Sequence, residues 1–215
     1  MAVNYNTSII TNGLRNSTDL SNIKSFVSGF NITDTVAGGT GSASIPNSSV
    51  SWMNAGVSSV TITIILTRLT ANANYSTNPF TKYNGTTDCS FSIYLFGNSA
   101  GAAPADDGKL RLYSNCGGTW QPVGDVYSMA LNQTVVATWQ YNSTSGGQLW
   151  INGVKIGTRT ASGIFGTAAN TTALVRLMPA SSTVLNMNYT SIYDRELSDS
   201  EVVQNFNALR GRFGI

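Results

Sequence analysis

The sequence predicts an all-β protein, a two-sheet antiparallel sandwich closed by one short C-terminal helix. Three observations carry this expectation. Of the 215 residues only 10% are charged, whereas Thr, Ser, Asn and Gly number 25, 26, 22 and 21, a composition suited to turns and strand faces rather than to long helices. Apolar residues recur with a period of two between turn signals, as along half-buried strands. Helix-start chemistry stands out near the C-terminus, where Ser198 is followed three residues later by Glu201, the spacing of a capping box.

Taken in order, residues 1–50 read as an N-terminal arm with the first strands of one domain spanning 1–215, a size that sandwiches reach as single units. Weak strands fall at Ser25–Ile32 and Val50–Met53, with Gly38–Ser42 as a loop. The polar stretch Ala2–Ser21 is expected to dock on neighbouring subunits; pairing with the last strand of its own sandwich is the other outcome. Val60, Ile62, Ile64 and Leu66 alternate with Thr61 and Thr63 and mark a core strand over Ser59–Leu69. Phe91, Ile93 and Leu95 define the next strand; a long loop, Gly97–Gly108, leads to Leu110 and Leu112 on a further one. Val135–Gln140, Gln148–Ile151 and Val154–Gly157 follow, the last two joined by Asn152-Gly153, whose residues suit a turn that needs positive φ twice. Ala173–Met178 and Thr183–Ile192 flank a Pro179–Ser182 turn. The closing helix presents Val202, Phe206 and Leu209 on one face, has Leu197 and Val202 at staple positions, and is expected to end at Gly211.

The same inventory excludes several functions. A formal charge of +2 is too small to neutralise a run of phosphates, so no nucleic-acid partner is expected. With no histidine, the commonest general base and every Ser-His-Asp triad are absent. Both glutamates, Glu196 and Glu201, fall at the helix start, leaving no carboxylate pair to flank a glycosidic bond. No enzyme activity and no cofactor are therefore expected. Zinc lacks ligands, and no metal site is assigned. Asp106-Asp107-Gly108 could offer oxygens to calcium, although a solvated turn is the commoner use of such residues. Met1–Asn6 has neither a cationic start nor an apolar run, so neither a signal peptide nor a membrane partner is expected.

Two features could still carry chemistry. A register that pairs Phe96 with Lys109 would also set Cys89 against Cys116, where a cross-strand disulfide or two reduced thiols could stand. Trp120, between Gly117-Gly118 and Pro122, and Tyr141, opening the loop Asn142–Gly147, are candidates for stacking on sugars. Asn142, Asp106 and Asp107 would then read hydroxyls. The other reading of both rings is cover for the sandwich rim.

Trp150–Gly157, Ser191–Val202 and the tail Asn205–Ile215 together resemble the ending of concanavalin A-like, laminin-G-like jelly-roll domains found in tailed-phage virion proteins and bacterial surface proteins. The resemblance implies two antiparallel sheets. It also implies a non-enzymatic structural protein on the exterior of a phage virion, a capsid decoration (cement) or tail-fibre component. Such a protein would be a homo-oligomer among other virion proteins, made in the host cytoplasm. The alternative is a carbohydrate-binding adhesin or receptor-binding lectin module that contacts a cell-surface glycan. The family's metal and catalytic-carboxylate patterns do not occur at matching positions, so fold alone assigns neither. A lectin should expose Trp120 and Tyr141, whereas a cement protein should bury them or leave them idle.

Overall fold

The computed structural model describes residues 9–19, 31–32, 43–45, 51–53, 58–71, 76–82, 90–97, 106–116, 119–160, 175–177 and 185–215. In chain order the first strands are β1 (Leu14–Asp19), β2 (Asn31–Ile32), β3 (Ala43–Ile45), β4 (Ser59–Arg68), β5 (Ser76–Lys82) and β6 (Ser90–Phe96). Next come β7 (Lys109–Cys116), β8 (Thr119–Ser128), β9 (Thr134–Asn142), β10 (Gly146–Ile151) and β11 (Val154–Thr160). Finally β12 (Val175–Leu177) and β13 (Leu185–Tyr193) lead to helix α1 (Asp199–Phe213). Sheet A has the order β1-β13-β4-β9-β10-β11 and sheet B the order β2-β3-β12-β5-β6-β7-β8. All pairings are antiparallel, as the sequence predicts.

Strand parity explains the core. Val60, Ile62, Ile64 and Leu66 on β4 meet Val135, Ala137, Trp139 and Tyr141 on β9 along the inner face of sheet A. Phe91, Ile93 and Leu95 on β6 with Leu110 and Leu112 on β7 supply the facing layer from sheet B. The opposite parity of sheet A is also buried, because α1 lies on it. Ile65, Val136 and Tyr189 pack with Leu209, Phe206 and Phe213, while Trp150 and Tyr193 pack with Leu197 and Val202. Threonines fill positions between these clusters and pair across the strands, Thr63 with Thr138 at 2.9 Å and Thr67 with Thr134 at 2.8 Å. These pairs satisfy their own hydroxyls inside the sheet, whereas the buried Thr190 Oγ1 on β13 has no hydrogen-bond partner.

The Asn152-Gly153 hairpin forms as expected, with φ of 52° and 74° joining β10 to β11. A Cβ on Gly153 would stand 2.8 Å from Phe206 Cδ1, so this glycine serves the turn and also admits the helix. The capping box at Ser198 and Glu201 is present on both sides.

Four expectations need correction. Residues 51–53 form a 3-10 turn rather than strand. Gly211 does not stop α1; the helix runs to Phe213, whose ring lies 6.3 Å from that of Tyr189, and Gly214 at φ 69° supplies the left-handed cap. Trp120 lies within β8 opposite Asn115, not in a loop. The segment 9–19 is no free arm: β1 pairs with β13, the last strand. Ahead of it, Ile10 N donates to Asn205 Oδ1 at 2.8 Å and Ile10 O accepts from Tyr193 Oη at 2.9 Å. Residues 1–8 lie outside the described set.

Candidate functional site

Most residues nominated from sequence are committed to the scaffold. Tyr141 is 0% exposed because it sits on the inward parity of β9, so its ring offers no face to a sugar. That corrects its candidacy as a stacking platform. Asn142 Oδ1 accepts from Thr144 N at 2.9 Å and Ser145 N at 3.4 Å, a local turn bond. Asp106 pairs with Lys109 at 2.5 Å, and Asp107 with the buried Arg68 at 2.8 Å. Both carboxylates are neutralised by cations, and among the described residues no three His, Cys, Asp or Glu side chains stand together to hold a metal. Cys116 ends β7 opposite Thr119, and the β6–β7 ladder pairs Ser90 with Asn115. Cys89 lies outside the described residues.

The two glutamates are likewise engaged. Glu196 pairs with Arg159, which also donates to Gly146 O at 3.0 Å. Glu201 takes both Arg195 Nη1 and Nη2, at 2.8 and 2.7 Å, and accepts from Ser198 N at 2.8 Å. The Arg195 hydrogen bonds hold its carboxyl down at about 2 against an ordinary 4.5, so it stays ionised at neutral pH and has no proton to give. Because the folded-state value is depressed, its stabilising contribution is present above about pH 4.5 and is lost as pH falls towards about 2. Urea midpoints measured over that window should fall in the wild type and fall less steeply in Glu201→Gln. Parallel profiles would remove this carboxylate from the acid response.

A surface that the sequence reading passed over lies on the outer face of sheet B. With Phe91, Ile93, Leu95, Leu110 and Leu112 facing inward, parity sends Tyr94, Phe96, Arg111 and Tyr113 outward. The Tyr94 ring centroid is 5.7 Å from that of Phe96 and 5.4 Å, edge-on, from that of Tyr113. Arg111 stands opposite Tyr94 in the ladder, donates from Nη1 to Tyr113 Oη at 2.9 Å, and holds Cζ 5.7 Å from the Tyr113 centroid. Phe96 is buried beneath the group, while Tyr94, Tyr113 and Arg111 remain partly exposed. Among the described residues no helix covers this face, in contrast to sheet A. The signal was in the sequence: an ordinary solvated face would carry Thr, Ser or Lys at these alternate positions.

Chemically, the cluster presents ring edges and faces beside a fixed guanidinium. Aromatic rings take the apolar C–H faces of sugars, and oriented polar groups select among hydroxyls and acids.

An antiparallel two-sheet sandwich of this topology belongs to the jelly-roll class of folds. Within that class the chain is similar to the binding domain of botulinum neurotoxin DC, solved in complex with rat synaptotagmin II, with TM-score 0.59 and 17% identity over 79% of this chain and 40% of that one. The same toxin domain in complex with SialylT gives TM-score 0.58 and 16% identity at the same coverages. Trypanosoma rangeli sialidase gives TM-score 0.54 and 13% identity over 80% of this chain and 26% of the sialidase. The chain thus spans well under half of each of these proteins. No protein-family model matches it, and no curated protein matches it in sequence. At such identities the likeness concerns the fold.

Proposed function

We propose that the protein is a non-enzymatic glycan-binding module whose ligand lies on the outer face of sheet B, across Tyr94 and Tyr113. The observation that carries this reading is the aromatic and guanidinium cluster on the sheet face that no described helix covers. Two similar structures are complexes, the toxin domain with SialylT and the sialidase with sialic acid. These add support through shared architecture. Engagement of both glutamates in ion pairs supports binding without hydrolysis. The phage-virion setting rests on the C-terminal resemblance, and within it the module would serve receptor binding at the particle exterior.

A purely structural virion role is the second reading, favoured by one observation: Tyr141, Asn142, Asp106 and Asp107 are all absorbed into the scaffold. A glycan array followed by titration separates the two. Tyr113→Ala is expected to weaken the best ligand about tenfold, the equivalent of one lost aromatic contact, with the unfolding midpoint little changed. Absence of binding to any glycan would leave the structural role standing, and full binding by Tyr113→Ala would overturn the placement of the ligand on this face.

A further inference from the structure

We infer that the ligand of this face is an acidic glycan, whose carboxylate is bound by Arg111 while its sugar ring rests on Tyr94 and Tyr113; this rests on the glycan-binding reading above. Ion pairs hold Arg15, Arg68, Lys109, Lys155, Arg159 and Arg195. Arg111 differs. Its recorded partners are the Tyr113 hydroxyl and ring, and no described carboxylate pairs with it. Asp106, Asp107, Asp194, Glu196, Asp199 and Glu201 are all taken by other cations.

The guanidinium is nevertheless fixed. Its Nη1 bond to Tyr113 and its position over that ring restrict its rotamers before any ligand arrives, which lowers the ordering cost of binding. The Nε and Nη2 donors have no partner among the described residues, and together they form the edge that meets a planar carboxylate with two parallel hydrogen bonds. A neutral sugar would use the rings and leave this charge without a counter-ion. A sugar bearing a carboxylate beside its C–H face uses both.

The test is isothermal titration of the full chain with matched probes: lactose, sialyllactose, sulfated lactose, and a neutral and an oxidised (uronate) form of one oligosaccharide. The carboxylated member of each pair is expected to bind about tenfold to a hundredfold tighter, as hydrogen bonds to a charged group imply. That ratio should shrink at 0.5 M salt and collapse towards one in Arg111→Gln. Arg111→Lys should recover part of it, since charge returns without the fork. Equal binding of neutral and acidic probes, a ratio that survives in Arg111→Gln, or preference for the sulfated probe would overturn the assignment of a carboxylate to Arg111 while leaving glycan binding intact. Failure of every probe to bind would overturn both.

Discussion

Trp150→Ala is expected to destabilise the protein by about 3–5 kcal/mol, the usual cost of emptying a buried indole site. Trp150 is 4% exposed and lies on the helix-covered side of sheet A with Tyr193, Leu197 and Val202. Its loss opens a cavity where β10 meets the start of α1. The indole also donates from Nε1 to Gln140 Oε1, and Gln140 Nε2 in turn donates to Leu197 O at 2.5 Å. Truncation therefore strands a buried amide oxygen as well as removing contacts. Trp150→Phe comes closer to isolating the donor, because it keeps one ring in place while removing the N–H and part of the indole volume; a smaller loss of about 1–2 kcal/mol is expected. Urea midpoints at constant m-value give both numbers. A loss below about 1 kcal/mol for Trp150→Ala would mean that the helix-covered layer contributes little.

The elements legible in the sequence are those where local preference and tertiary burial agree. On β4 and β9 every second residue enters the sandwich, so alternation survives even though the other face is also buried. The capping box needs only four residues and was equally visible. Strands β5 and β8 escaped notice because each carries a proline, ordinarily a strand breaker. The structure shows why both are tolerated. Pro79 lies at a register shift between Thr77 and Phe80, and Pro122 lies on β8, the last strand of its sheet, positions where a missing N–H breaks no regular ladder. Strand β1, reading Leu-Arg-Asn-Ser-Thr-Asp, has no alternation to detect; its pairing comes from β13 and from Asn205, a buried amide on an otherwise apolar helix face.

The candidate site was harder to read for a related reason. Loop aromatics attracted attention, yet Tyr141 belonged to the inward parity of a strand. The partly exposed rings stood at outward positions of two strands whose inward residues had already been assigned. Carrying that parity one step further, from the core residues of β6 and β7 to their neighbours, would have found Tyr94, Arg111 and Tyr113. The register that would set Phe96 against Lys109 also places Arg111 beside Tyr94, as the ladder shows, so their adjacency was legible too; the ring and guanidinium geometry was not, because it depends on side-chain rotamers.

Asp107→Ala should be costly although Asp107 itself is partly exposed. Its partner Arg68 has a side chain only 7% exposed, and removing the carboxylate leaves a buried cation whose remaining recorded bond is from Nη1 to Met129 O at 2.6 Å. Nε has no hydrogen-bond partner. Breaking a buried pair from one side costs about 3–5 kcal/mol; the exposure of Asp107 places the expected loss near about 3 kcal/mol. The same arginine lies against Gly108, where a Cβ would stand 2.1 Å from Arg68 Nη1 and 2.7 Å from Met129 O. Gly108 N also donates to Phe96 O at 2.9 Å, so the anchor fixes the entry to β7, the strand that carries Arg111 and Tyr113. The decisive comparison is a double-mutant cycle with Arg68→Met, which removes the charge and retains much of the volume. If the penalty arises from a stranded cation, adding Arg68→Met to Asp107→Ala should restore a substantial part of the loss, giving a coupling above about 1 kcal/mol. Simple additivity of the two losses would show instead that the loop is held by its backbone hydrogen bonds and that the ion pair is incidental.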